Sequence, residues 1–255
     1  MTSRNQDKNS REDQTLVSHL IELRMCLLKA LACVLLIFIA LSFFASDLYS
    51  LVAKPLLERL APGTGMIATE VASTFIAPIK LAFFLALFIS MPFILYQAWS
   101  FVAPGLYQNE QRFALPLLIS SIFLFYAGMA FAFFIILPIL FGFFTAIAPE
   151  GVVVMTDISR YLDFILKIFF AFGLAFEVPI LTILLIWSGL TTIETLKSKR
   201  PYIIVAAFVI GMLLTPPDVI SQLLLAFPVW LLFEFGLWLA SKIIRTGQGA
   251  DQQLP

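Results

Sequence analysis

The sequence predicts an all-α membrane protein with six transmembrane helices, of which the last two are short. Hydrophobic residues make up 61% of the 255 residues and charged residues only 13%, whereas a soluble domain is roughly half apolar and a quarter charged. The apolar residues form long runs, and the charged residues gather between those runs. A helical bundle that faces lipid requires this arrangement.

The apolar runs divide the chain into a membrane domain over residues 15–240 and two polar tails over residues 1–14 and 241–255. The six predicted spans are Met25–Phe44, Phe75–Tyr96, a long run from Phe113 to about Gly142, Tyr161–Trp187, Tyr202–Leu214 and Val219–Ala240. An amphipathic helix is expected around Leu51–Leu60, between the first two spans. The fifth span covers only about 20 Å at 1.5 Å per residue, less than the ~30 Å hydrocarbon core. Glu234 interrupts the apolar part of the sixth span.

The third run could hold one span or two, because no charge occurs between Arg112 and Glu150. Two spans would need a polar turn, and none is visible between Phe113 and Phe141. The sequence therefore predicts one long, tilted helix that ends near Pro138 to Gly142.

The distribution of basic residues predicts that both termini lie in the cytoplasm. The segments assigned to the cytoplasm hold Arg4, Lys8, Arg11, Arg24, Arg112, Lys197, Lys199, Arg200, Lys242 and Arg245. The opposite loops hold only Lys54, Arg59 and Arg160. This bias follows the positive-inside rule and agrees with an even number of spans.

The sequence contains no catalytic or cofactor motif. His19 is the single histidine, so no histidine cluster can bind a metal ion, and neither HExxH nor a phosphate-binding loop sequence is present. We therefore expect a protein without a cofactor or metal that is not an enzyme.

Three acidic residues are the candidates for function. Glu22 precedes the first span and Glu110 lies in the first cytoplasmic loop. Both also fit an ordinary role, since Glu22 could form an interfacial salt bridge and Glu110 could be a surface charge beside Arg112. Glu177 differs, because an ionised carboxylate inside an apolar run costs several kcal/mol unless it is paired. Gly173, on the same helix face, could equally indicate helix packing.

Four motifs, in order along nearly the whole chain, resemble TatC, the multispanning subunit of the twin-arginine protein translocase. They are HLIELR at His19–Arg24, the segment Met91–Phe101 that leads into Pro104–Glu110, the segment Phe172–Pro179, and Thr215–Asp218 followed by Ser221 and Gln222. Together they form a specific signal that no single motif would give.

The resemblance implies a receptor in the bacterial cytoplasmic (inner) membrane. TatC-like proteins bind the twin-arginine signal peptides of folded precursor proteins and assemble with single-span TatA-like and TatB-like partners into a multimeric complex. The complex uses the proton-motive force. No nucleic acid partner is expected, and membrane lipid is the surrounding solvent.

The resemblance also assigns roles to residues. Glu22 and Glu110 would accept the arginine guanidinium groups, because carboxylates hold them with bidentate geometry. Phe101 would pack against the apolar part of the peptide, and Arg24 would orient a carboxylate. Glu177 would contact the signal or a partner helix from a concave face. The remaining motif residues, at the expected periplasmic hairpin, are Pro216, Pro217, Asp218 and Gln222.

A secondary transporter of a small solute is the alternative from another class. Charged residues within the runs could mark an ion path, namely Lys80, Asp163, Lys167 and Glu177. The sequence shows no inverted repeat or paired broken helices, which such transporters use. A scaffold role for the spans that face partners is also left open.

Overall fold

The computed structural model describes residues 2–57, 67–102, 114–147, 157–214 and 219–251, and these residues are almost entirely helical. The α-helices are α1 Thr2–Ser42, α2 Ala45–Leu57, α3 Ser73–Val102, α4 Ala114–Phe131, α5 Leu137–Ile147, α6 Ile158–Ala175, α7 Val178–Trp187, α8 Ile193–Ser198, α9 Arg200–Leu214 and α10 Val219–Asp251. A π-helical turn, Ala132–Ile136, joins α4 to α5. Within the described ranges no strand occurs, and an isolated bridge joins Ile67 to Asp157.

Among the described residues, five helical segments are long and apolar enough to cross a membrane. They are Leu20–Ser42, Ser73–Val102, Ala114–Phe144, Ile158–Trp187 and Val219–Lys242. The all-α membrane fold is therefore confirmed. Helix α9 is apolar but spans only 15 residues, about 22 Å, as the short fifth run predicts.

Contacts between helix ends define the two ends of the bundle. The Ile158 N–H at the start of α6 donates to the Ile67 carbonyl just before α3 at 3.0 Å. Trp187, which ends α7, packs in one apolar cluster with Ala240 of α10. We call the end of the bundle that carries Ile67 and Asp157 the loop end. We call the end that carries Trp187 and Ala240 the tail end.

The third apolar run is one continuous helical segment, as predicted, but its predicted end near Pro138 to Gly142 is wrong. Helix α5 continues to Ile147. The Leu137 N–H donates to the Ala132 carbonyl, five residues back, so the helix is widened just before Pro138. A wide turn accommodates a proline that would clash in a regular α-helix.

The backbone of both polar tails continues a membrane helix. Helix α1 begins at Thr2, and α10 extends to Asp251. The boundaries predicted at residues 14 and 241 therefore mark a change of composition and not a change of backbone conformation.

The core of the bundle is a seam between α4 and α6 where two glycines replace side chains. A Cβ atom on Gly128 would overlap the carbonyl oxygen of Phe172, and one on Gly173 would lie 2.6 Å from the Phe125 ring. Phe125 and Phe172 are almost completely buried. Each glycine therefore receives an aromatic residue of the other helix, and the two backbones approach closely.

Candidate functional site

Glu22 and Phe101 lie at the same end of the antiparallel pair α1 and α3. The rings of Phe38 and Phe83 are in contact, with centroids 5.7 Å apart. Counted from this contact, Glu22 lies the same number of residues toward the start of α1 as Trp99 lies toward the end of α3. Because the two helices are antiparallel, Glu22 is level with Trp99. Glu22 is exposed and Phe101 is half-buried, and both lie on the parts of α1 and α3 that are nearest the tail end.

The structure does not pair Arg24 with a carboxylate. Arg24 is exposed and forms no ion pair with another described residue. It lies two residues from Glu22, and residues at that spacing point to different sides of a helix. Glu110, predicted to belong to the same patch, lies outside the described residues.

Glu177 lies in a break between α6 and α7. The break is a turn over Phe176 and Glu177, where the Glu177 N–H donates to the Leu174 carbonyl at 3.0 Å. Pro179 occupies the first turn of α7, a position where its missing N–H leaves no helical bond unmade. The sequence thus forms two helices where one long run was predicted.

The Glu177 side chain points into the protein, because only 7% of its surface is exposed. The hydroxyl of Ser121 on α4 donates to Oε2 of Glu177. The other oxygen, Oε1, is buried and has no hydrogen-bond partner among the described residues. This burial fits the prediction that the carboxyl avoids lipid, and it leaves one acceptor for another donor.

The other charged residues within the spans do not converge on Glu177. Lys80 Nζ and Asp163 Oδ1 are 2.7 Å apart and join α3 to α6. Lys167 is exposed. Arg200 and Glu234 form a separate pair at 2.6 Å between α9 and α10. Lys80 and Asp163, proposed for an ion path, are therefore each other's partners.

Asp157 joins the two loop segments at the loop end, a role that the sequence did not indicate. Its Oδ1 accepts the Arg160 N–H at 2.9 Å, which caps α6. Its Oδ2 accepts the N–H of Thr69 at 3.0 Å and the hydroxyl of Thr69 at 2.6 Å. The hydroxyl bond from Thr69, followed by the backbone N–H bonds, lowers the pKa of Asp157 to about 2.

The predicted hairpin motif is described only in part. Pro216, Pro217 and Asp218 lie outside the described residues. Gln222 is half-buried in the first turn of α10, and its carbonyl oxygen would lie 3.6 Å from a Cβ atom on Gly211 of α9. In the part of the chain that the structure describes, no group of three His, Cys, Asp or Glu side chains could hold a metal ion.

Comparison with known proteins gives consistent matches. The family model described as Sec-independent protein translocase protein (TatC) matches residues 18–228. A TatC of Azotobacter chroococcum mcd 1 is 57% identical over 247 residues, covering 97% of each chain. The TatC of Escherichia coli K12 is 52% identical and covers 94% of this chain and 93% of its own.

Solved structures match the fold as well. A crystal structure of the twin-arginine translocase receptor TatC superimposes with a TM-score of 0.78 at 36% identity, and covers 88% of this chain and 98% of that one. A second, determined in the detergent DDM, gives a TM-score of 0.79 at 36% identity. The sequence motifs, the helical fold and these matches agree, and the chain belongs to the TatC family of Sec-independent protein translocase proteins.

Proposed function

We propose that this chain is the signal-peptide receptor and core subunit of a twin-arginine translocation complex. The observation that carries the proposal is its likeness over almost its full length to a solved twin-arginine translocase receptor. The complex exports folded precursor proteins across the bacterial cytoplasmic membrane and uses the proton-motive force. The chain acts by binding and assembly and not as an enzyme.

The tail end supplies the chemistry for an arginine pair. Each arginine carries a permanent charge and five N–H donors, and an exposed carboxylate can accept two of these donors at once. Glu22 is exposed at this end, and Glu110 supplies a second carboxylate. The half-buried ring of Phe101 offers an apolar contact to the residues that follow the arginines.

The tail end then faces the cytoplasm, with α9 as the fifth of six spans. Single cysteines in a cysteine-free variant test this topology. We expect cytoplasmic labelling at Ser3, Asn109, Ser198 and Thr246, and labelling from the other side at Ser50, Thr156 and Val219. Labelling of Thr156 from the cytoplasm would contradict the six-span arrangement.

Glu177 is proposed to act in assembly. Its Oε1 is a buried acceptor without a hydrogen-bond partner among the described residues, and a polar group of an inserted signal peptide or of a TatA-like or TatB-like helix would supply the donor. A multimeric complex follows from such contacts between spans.

A small-solute transporter is not supported. Lys80 pairs with Asp163 between α3 and α6, and Glu177 bonds to Ser121 of α4. Membership of a protein translocase family accounts for the sequence motifs without a path for a small solute.

Crosslinking to a twin-arginine signal peptide tests the receptor function. The purified protein should crosslink to this peptide and much less to its twin-lysine version, because lysine lacks the guanidinium fork. Glu22→Lys and Glu110→Lys should each reduce the yield, whereas Glu194→Lys, a change at an exposed residue of α8, should not. Equal yields with both peptides would contradict the proposal.

A further inference from the structure

An apolar cavity of about 220 Å³ opens between α6, α7, α9 and α10. Its walls are aliphatic side chains, one phenylalanine and one glycine, among them Ala171, Leu174, Val178, Ala207, Leu214 and Leu225. No charged residue in the described part of the chain lines it. A cavity of this composition suits a hydrocarbon chain.

Lys167 lies on the same face of α6 as the cavity wall, on its loop-end side. It precedes Ala171 by four residues and Leu174 by seven, which is the spacing of one helix face. Helical side chains lean toward the N-terminus of their helix, so the ammonium group points toward the loop end. Lys167 is exposed and forms no ion pair with another described residue.

The described charged residues near Lys167 do not neutralise its positive charge. Asp163, one turn earlier on α6, is bonded to Lys80 of α3. The lining residues on α7, α9 and α10 are apolar. Among the described residues, the group of Lys80, Asp163 and Lys167 therefore carries one uncompensated positive charge beside the apolar cavity.

The level of Lys167 in the membrane follows from the packing of α7 on α10. Gly236 of α10 lies against Pro179 and Thr182 of α7, and both helices run from the loop end to the tail end. Nearer the loop end, Ile168, the residue after Lys167, belongs to one buried apolar cluster with Leu225 of α10. Lys167 is therefore level with the first two turns of α10.

The short α9 brings the lipid headgroups to that level. Helix α9 has 15 residues, about 22 Å, against a hydrocarbon thickness of ~30 Å. A bilayer thins locally to match a short span. The headgroups at the loop end then come within reach of the Lys167 side chain.

We propose that Lys167 and the cavity form a binding site for an anionic phospholipid of the leaflet at the loop end. The lipid phosphate accepts hydrogen bonds from the Lys167 ammonium group, and one acyl chain enters the cavity between α6 and α9. A partner helix that covers the opening is the alternative occupant, and the experiment distinguishes it from a lipid.

Lipid retention by the purified protein tests the site. Native mass spectrometry would count phosphatidylglycerol and phosphatidylcholine bound to the full chain after extraction from mixed vesicles. The unchanged protein should retain phosphatidylglycerol preferentially. Lys167→Gln should bind it roughly tenfold more weakly, since a charge-assisted hydrogen bond is lost. Lys197→Gln, at an exposed residue of α8, is the matched control and should retain it normally.

A second variant tests the cavity separately. Ala171→Leu fills the cavity and keeps the ammonium group, and it should lower retention to a similar degree. Equal retention by Lys167→Gln and Lys197→Gln would overturn the proposal. Loss of a co-purifying single-span protein from Lys167→Gln, with phosphatidylglycerol retained, would overturn it in favour of a protein partner.

Discussion

The seam between α4 and α6 and the hairpin of α9 and α10 are packed in opposite ways. In the seam, glycine and phenylalanine interlock in both directions, so the backbones are in close contact. In α9 only Ala207 and Gly211 are buried, and the nearest atom to a Cβ on Gly211 would be 3.6 Å away. Large apolar side chains of α9 stay exposed, including Tyr202, Val205, Val209 and Leu213.

The difference indicates that the two regions have different roles in the bundle. The seam holds α4, α6 and Glu177 in a fixed arrangement, because tightly packed interiors do not deform gradually. The hairpin leaves space and apolar surface that lipid or a partner can occupy. Four predictions test this contrast, ordered by expected effect.

The largest effect is expected for Gly128→Ala in the seam. The new methyl group would overlap a backbone carbonyl of Phe172, which cannot rotate away, so unfolding should become easier by about 1–3 kcal/mol. Gly211→Ala is the control in the hairpin, where ordinary contact and better helix propensity should leave stability unchanged or raise it by up to about 1 kcal/mol. Thermal unfolding of both variants in one detergent measures this. Equal losses would remove the contrast.

A smaller effect is expected for the Ser121 and Glu177 pair. Ser121→Ala and Glu177→Ala should each lower stability by about 1 kcal/mol, as is usual for polar pairs between membrane helices. Only Glu177→Ala removes the carboxylate, so it alone should reduce retention of TatA-like or TatB-like partners in pull-downs from membranes. If both variants lose partners equally, Glu177 serves only to hold the seam.

The third prediction concerns Asp157, whose contacts lie at the loop end and outside the spans. Its pKa of about 2 in the folded protein is below the ordinary value of 3.8. A lowered pKa stabilises the folded protein above the ordinary value, and this contribution is lost as the pH falls from about 4 toward 2. Asp157→Asn should therefore lower the unfolding midpoint at pH 7 more than at pH 3. The control is Glu70→Gln, at an exposed residue beside Thr69 in the other loop segment, and an identical pH profile for the two variants would contradict the prediction.

The smallest effect is expected for the hairpin ion pair. Arg200 and Glu234 have side chains 44% and 28% exposed, and exposed pairs contribute about 0–1 kcal/mol. Glu234→Gln should lower stability by less than about 1 kcal/mol, and the difference should shrink in high salt. A larger, salt-independent loss would mean that the hairpin is held as firmly as the seam.

The sequence predicted the five long apolar helices well, because lipid requires an apolar exterior of every helix that crosses it. It predicted the burial of Glu177 for the same reason. It did not predict Ser121 as the partner, because hydropathy does not say which helices touch. Gly173 carried a packing signal, but Gly128 on the facing helix could be matched to it only in three dimensions.

The contacts of Asp157 at the loop end show a second limit of prediction from sequence. Asp157 before a helix is an ordinary capping signal, so half of its role was accessible from the sequence. The bonds to Thr69 join residues 88 positions apart, and no local pattern encodes such a contact. Arg24 shows the reverse case, since its role came from the motif alone and the described residues give it no carboxylate.

The π-helical turn also keeps the buried residues of the long third segment on one face of the helix. In an α-helix, residues four apart drift around the axis by about 40°, since each residue turns about 100°. Ala132, Ile136 and Leu140 follow one another at this spacing, yet all three are buried in one cluster with Ile168. The wider turn, with its i→i+5 bond, rotates less per residue and cancels the drift. Phe133, Phe134 and Ile135 are exposed, so the additional residue lies on the outer face. Because the wider turn accommodates one residue more than an α-helical turn, deleting one of them would restore a regular helix with its buried face still toward α6, but it would leave Pro138 in a regular α-helix, where its ring clashes with the preceding turn.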